Sequence, residues 1–133
     1  MSYREDLSMR IAICDDEERD LLALKTAVNT FDLSRSIEVC AFSSAAALYS
    51  AEIKKPFDIA ILDIEMAPPN GYAIAEKLVK SDTGPIIIFL TNSMDYTIRG
   101  YGIAFRYLTK PIDQNQLNTA LSAAVKKASA KRC

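Results

Sequence analysis

The stretch Pro85-Ile-Ile-Ile-Phe-Leu-Thr91 constrains this chain more than any other. It is almost unbroken in apolar character and much too short to cross a bilayer. A run of this kind reads as a strand buried on both faces, as strands of parallel sheets are. The rest of the chain supplies what such a strand requires. Met9 to Cys14, Ser36 to Phe42, Phe57 to Leu62 and Ala104 to Leu108 read as four further strands. Between them lie helical patterns. Leu21, Leu24, Val28 and Phe31 recur at helical spacing, and Ala45 to about Ala51 follows a serine cap and closes before Pro56. Gly71 to about Lys80 carries Ile74, Ala75, Leu78 and Val79 on one face, and Ser93 to about Tyr101 forms a less apolar fourth helix. A fifth starts at the capping-box-like pair Asp113 and Gln116 and carries Leu117, Leu121, Ala124 and Val125. Strand–helix units repeated five times, joined by right-handed crossovers, give an α/β fold: a five-stranded parallel sheet, doubly wound, with helices on both faces.

At 133 residues the length suits one domain. The expected limits are an N-terminal extension over residues 1–8, the folded domain over 9–128 and a tail or linker over 129–133. Lys plus Arg (16) nearly balance Asp plus Glu (17), which gives no basic surface for nucleic acid. The basic residues near the end, such as Lys126 and Lys127, read as a solvated helix face. The absence of histidine removes His-activated nucleophiles and His metal sites together. Cys14 and Cys40 lie in apolar runs without CxxC spacing and read as buried small hydrophobes, so a reducing, cytoplasmic setting is expected. No run approaches a membrane span, and the start lacks the apolar stretch of a signal peptide.

In open α/β sheets, ligands bind beyond the carboxyl ends of the strands. There stand Asp15 and Asp16 after strand one, Asp63 after strand three, Thr91 at the end of strand four, and Lys110-Pro111 after strand five. Singly, each has an ordinary explanation as a cap, turn or solvated loop residue. Together on one edge they describe chemistry. Three clustered carboxylates repel unless neutralised, and with no His or paired Cys the suited cation is a hard one bound by oxygen, best Mg²⁺. Lys110 adds a second positive charge. A carboxylate held between Mg²⁺, a lysine and a threonine hydroxyl is arranged to attack phosphorus.

The ordered set Asp15-Asp16-Glu17, the strand running into Asp63, Asn70-Gly71, Thr91 and Lys110-Pro111 resembles the response-regulator receiver domains of two-component signalling, over Met9 to about Lys127. The resemblance implies a flavodoxin-like sheet of strand order 2-1-3-4-5 with five helices. It implies that Asp63 takes a phosphoryl group from a sensor histidine kinase, and that Thr91 and Lys110 hold the phosphoryl oxygens. Asp16 would touch Mg²⁺ directly and Asp15 through water, with Asp63 and the Glu65 backbone carbonyl completing the metal set. Tyr107 matches the family's aromatic switch residue; an ordinary half-buried strand aromatic is the other reading. The domain would catalyse only its own phosphorylation and dephosphorylation, and would act through the fourth helix, fifth strand and fifth helix, with homodimerisation favoured by phosphate.

The segments Leu90 to Tyr96 and Phe105 to Pro111 are similar to receivers attached to LytTR-type DNA-binding domains. DNA would then be reached only through an effector domain absent from this chain, which reads as an excised or a stand-alone receiver. Two positions depart from the family pattern. Ala67 stands where a proline is usual, followed by Pro68 and Pro69, and Asn92 replaces a small residue beside the phosphoryl site. Asn92 could narrow access to Asp63, bond the phosphoryl group, or simply face water. Two other functions compete: a pseudo-receiver that only binds partners, and an Asp-nucleophile phosphatase. The first usually loses an acid or the lysine, and the second carries its nucleophile after the first strand with a cap insertion. Neither pattern is present.

Overall fold

The computed structural model describes residues 9–31, 37–80, 84–94 and 102–131. Five strands, β1 (Met9–Cys14), β2 (Ile37–Phe42), β3 (Ile59–Asp63), β4 (Ile86–Thr91) and β5 (Ala104–Thr109), form one parallel sheet in the order β2-β1-β3-β4-β5. Four helices are present among the described residues: α1 (Glu18–Thr30), α2 (Ala45–Lys54), α3 (Gly71–Leu78) and α4 (Gln114–Lys131). The helix expected from Ser93 to about Tyr101 falls almost entirely outside the described residues, so α4 corresponds to the fifth helix of the sequence reading. The expected N-terminal extension also lies outside them.

Alternation along the central strands divides the core in two. Ile11, Ile13, Ile59, Ile61, Ile86, Ile88 and Leu90 face α1 and α4, where they meet Leu24, Val28, Leu117, Leu121, Ala124 and Val125. Ala12, Cys14, Ala60, Leu62, Ile87 and Phe89 face α2 and α3, against Leu48, Ile74, Ala75 and Leu78. All six residues of β4 are buried, as its composition requires, whereas edge strand β2 has no fully buried residue. Ser44 and Asn70 cap α2 and α3, their side chains accepting from the N–H groups of Ala47 and Ala73. Asp113 does the same for α4 through the Gln116 N–H, at 3.0 Å. That helix continues past the boundary expected at 128, and Lys131 Nζ anchors its end on the Gly84 carbonyl at 2.8 Å.

Two local departures position the site. Asp63 is the last residue of β3 rather than the first of a loop. In β5, Ala104 pairs with Ile87 but Arg106 pairs with Ile88, so Phe105 is an extra residue and the strand is bulged there. The bulge brings Tyr107 level with Phe89, and Thr109 level with Thr91.

Candidate functional site

The sheet register brings the polar residues together. Cys14 pairs with Leu62, so the next residues, Asp15 and Asp63, emerge level on adjacent strands. Asp63 pairs with Leu90, which puts Thr91 one step further out, and Thr91 pairs with Thr109, which puts Lys110 one step beyond that. Lys110 is tied back to this edge by its own N–H, donated to the Thr91 carbonyl at 2.9 Å. The result is a row of functional groups descending across the carboxyl end of the sheet.

Asp15, Asp63 and Thr91 are the polar residues buried among those described. The Lys110 ammonium lies 3.0 Å from Asp20 Oδ2, 3.1 Å from Asp15 Oδ2 and 3.2 Å from Asp63 Oδ1. The first two are hydrogen bonds. The third is an ion pair whose angle is too poor for a hydrogen bond, and Asp63 Oδ1 is a buried oxygen with no hydrogen-bond donor among the described residues. Burial, and then the charge of Asp15, pushes the Asp63 carboxyl up from 3.8 to about 6, with Lys110 pulling the other way. Burial works against the charge on Lys110, but its hydrogen bonds to Asp20 and Asp15 and the charge of Asp63 outweigh that and hold it above the ordinary lysine range.

Oxygen atoms of Asp15, Asp16 and Asp63 all lie within 4.8 Å of one another. The donor set is all carboxylate, and the orphaned Asp63 Oδ1 sits beside it. Both features fit a hard divalent cation. The acids differ in how far they are already committed. Asp15 uses Oδ1 for the Glu17 N–H at 2.9 Å and Oδ2 for Lys110, whereas exposed Asp16 uses Oδ2 for the Ala67 N–H at 3.0 Å. Ala67 thus closes the loop over Asp16 through its amide, ahead of a Pro68–Pro69 peptide that is cis, as Lys110–Pro111 also is.

Gly71 carries a different constraint. A Cβ there would lie 2.5 Å from the Asp63 carbonyl oxygen and 3.0 Å from both Asp63 C and Ile64 Cα, so only glycine lets α3 start against the end of β3. Tyr107 is half-buried, its ring 5.5 Å from Phe89, which in turn packs 4.9 Å from Tyr72. Cys14 is fully buried, and burial with the nearby acids pushes its thiol up to about 12, which leaves it inert. Cys40 is only half-buried, on the edge strand, and its thiol lies 3.7 Å from Glu38 Oε2.

Two participants escaped the sequence reading. Asp20, in the first turn of α1, is a full partner of Lys110; its signal was an acid at a helix start facing the same edge. Glu65 was assigned a role only through its backbone carbonyl, yet its carboxylate receives the Thr91 hydroxyl and the Asn92 backbone N–H, the latter at 2.9 Å. Asn92 is exposed, and its side-chain amide also reaches Glu65 Oε1, at 3.3 Å.

Known proteins are similar to most of this chain. Residues 11–122 match the family model of the response regulator receiver domain. The chain is 32% identical over 117 residues to the positive alginate biosynthesis regulatory protein of Pseudomonas aeruginosa, covering 87% of this chain and 47% of that protein. It is 30% identical over 118 residues to the sensory transduction protein LytT of Bacillus subtilis, covering 85% and 46%. The chain therefore spans about half the length of the curated relatives it matches. Among solved structures, the response regulatory domain of mrkE from Klebsiella pneumoniae superposes with a TM-score of 0.81 at 20% identity, over 92% of this chain and 99% of that one, which establishes the likeness of fold. The match over most of the length, together with acids, threonine and lysine converging on one sheet edge, places this chain in the response-regulator receiver family of two-component signalling.

Proposed function

We propose that Asp63 is the phosphoacceptor of this receiver and that the phosphoryl donor is a phosphohistidine of a sensor histidine kinase in the cytoplasm. The observation that carries the reading is the state of the Asp63 carboxylate: buried, beside a lysine ammonium at 3.2 Å, with one oxygen that no hydrogen-bond donor satisfies among the described residues. In the transfer, an Asp63 oxygen forms a bond to phosphorus as the phosphorus–nitrogen bond to the imidazole breaks. The imidazole leaves with the bonding pair and takes up a proton from water. Lys110 and the Thr91 hydroxyl neutralise and orient the phosphoryl oxygens, which is most of what this chemistry needs. Mg²⁺, held by Asp16, Asp63 and the Glu65 carbonyl with Asp15 behind, would supply further positive charge to those oxygens. Apart from making and losing its own acyl phosphate, the domain turns over no substrate.

Output is assigned to the surface of β5 and α4 with the segment after Thr91. Two of the phosphoryl-holding residues belong to it, and a groove of about 470 Å³ runs there between Tyr107, Leu108, Asn115 and Thr119. Phosphorylation would bias this face towards a two-fold homodimer. The relatives' names support a LytTR-type transcriptional regulator, in which an effector domain reaches DNA.

Incubation with acetyl phosphate and Mg²⁺, followed by intact mass, tests the acceptor. One phosphoryl group should be added to the wild type and none to Asp63→Asn. Label undiminished in Asp63→Asn, or no label in either, would overturn the reading and, in the second case, favour a domain that only binds partners. Sedimentation of the phosphorylated and unphosphorylated protein tests the dimer.

A further inference from the structure

Two donors at the end of β4, the Thr91 hydroxyl and the Asn92 N–H, are already occupied by an anion. Thr91 closes β4 beside Asp63 and is completely buried, so its hydroxyl must find a partner inside the protein. Its Oγ1 lies 2.5 Å from Glu65 Oε2 and 2.8 Å from the Ser93 carbonyl oxygen, while it accepts from the Ser93 N–H at 3.1 Å. A hydroxyl has one proton, and the charged carboxylate is the stronger of the two acceptors. The other Glu65 oxygen takes the Asn92 N–H at 2.9 Å and the Asn92 side-chain amide at 3.3 Å. Both carboxylate oxygens are therefore used, and among the described residues their donors come from the two residues at and just after the end of β4.

We infer that the Glu65 carboxylate is a built-in competitor of the phosphoryl group, occupying the Thr91 hydroxyl and the Asn92 amide until the phosphoryl oxygens displace it. The inference rests on Asp63 being the acceptor. Its chemistry is simple. A carboxylate and a phosphoryl group both present paired anionic oxygens, and the Thr91 hydroxyl and the Asn92 backbone N–H each have one hydrogen to give. Glu65 lies two residues beyond Asp63 and is itself exposed, so its side chain has water to turn into once released. The negative charge of Glu65 also acts on Asp63, adding to the push on its carboxyl. Two effects thus oppose incoming phosphate, simple charge repulsion and occupation of the donors, and they are separable. Asn92 gains a role as well: its amide clasps Glu65 and so reinforces the occupation, rather than screening Asp63 directly.

The experiment compares wild type, Glu65→Ala and Glu65→Asp. Glu65→Asp keeps the charge but shortens the arm by one carbon, so the carboxylate no longer reaches both donors. Beryllofluoride affinity in Mg²⁺ and the initial rate with acetyl phosphate are measured, with the Asn92 amide resonance followed before either is added. Occupation requires both variants to bind beryllofluoride and to phosphorylate about tenfold better, the scale of one charge-assisted hydrogen bond released. It also requires the Asn92 amide resonance to shift upfield in both. If Glu65→Ala is faster but Glu65→Asp behaves as wild type, repulsion alone acts and the inference is overturned. Unchanged rates, or an unmoved Asn92 resonance, overturn it equally. Absence of phosphoryl from all three proteins would instead overturn the assignment of Asp63, and the competition with it.

Discussion

Lys110 is bonded to Asp20 of α1, at 3.0 Å, as closely as to either acid of the strand-end pair. The three contacts differ in worth. Asp20 is 43% exposed, and an ion pair so open to water contributes below about 1 kcal/mol. Asp15 and Asp63 are buried, and removing their cation leaves charges without compensation. Asp20→Asn is therefore expected to change stability by less than about 1 kcal/mol. Lys110→Met is expected to cost about 3 kcal/mol at pH 7 and clearly less at pH 5, where Asp63 takes up a proton. Urea denaturation at the two pH values measures both. Equal losses from the two substitutions would contradict the ranking.

Asp63 itself is held as a carboxylate at some cost. Its carboxyl sits at about 6 in the folded chain, against an ordinary 3.8. Because the folded value is raised, the stability this group contributes is full below about pH 4 and is lost as pH rises through 6. Asparagine never charges. In the presence of a chelator, Asp63→Asn should thus be more stable than wild type at pH 8, by on the order of 2 kcal/mol. The advantage should shrink steadily between pH 6 and pH 4. Parallel stability curves for the two proteins across that window would refute the raised carboxyl.

Metal binding should rank the two acids after β1. Asp15 already spends both oxygens on Glu17 and Lys110, while Asp16 spends one on Ala67. Asp15→Ala is expected to weaken Mg²⁺ about tenfold, the usual effect of losing a residue that supports the ligands. Asp16→Ala should weaken it by more. Calorimetric titration checks this, and equal affinities would show that both acids bind the ion in the same way.

Gly71→Ala should damage the site from behind. The new methyl meets the Asp63–Ile64 backbone, at 2.5 Å from the Asp63 carbonyl oxygen, so either α3 or Asp63 must move. A loss of about 2 kcal/mol is expected, with slower phosphorylation of Asp63. Gly102 offers the contrast: it has φ +90° with open space around it. Gly102→Ala should cost about 1 kcal/mol through backbone strain and leave the acceptor chemistry unchanged. Thermal unfolding and acetyl phosphate kinetics on both variants separate the two effects.

Much of this was legible in the chain because the signals are local. Five apolar runs of strand length gave five strands, and alternation within them gave both faces of the core. Asp15, Asp63, Thr91 and Lys110 were found because each directly ends or follows such a run. What was missed depends on contacts between distant segments. Nothing near Glu65 says that its side chain will turn towards Thr91 and Asn92, 26 and 27 positions on. Asp20 looked like any acid at a helix start, and only the fold sets it against Lys110, 90 positions away. Cys40 read as buried because β2 is apolar, but the order of strands leaves β2 at an edge.

The bulge at Phe105 acts as a phase marker for the last strand. Were Phe105 paired with Ile88 instead of bulged, the ladder would run on evenly, Arg106 would stand opposite Phe89, and Tyr107 opposite Leu90. Lys110 would then fall one rung too far from Thr91, beyond the acids it now neutralises. The alignment of the lysine with Asp63 is therefore set upstream, by a residue whose ring packs under Arg106 and Lys127 on the far side of the sheet from Tyr107. Strand length between Ala104 and Lys110 is a counted quantity in this protein. A residue inserted between Tyr107 and Lys110 would leave every functional side chain present in the sequence and carry the lysine one place beyond the acids.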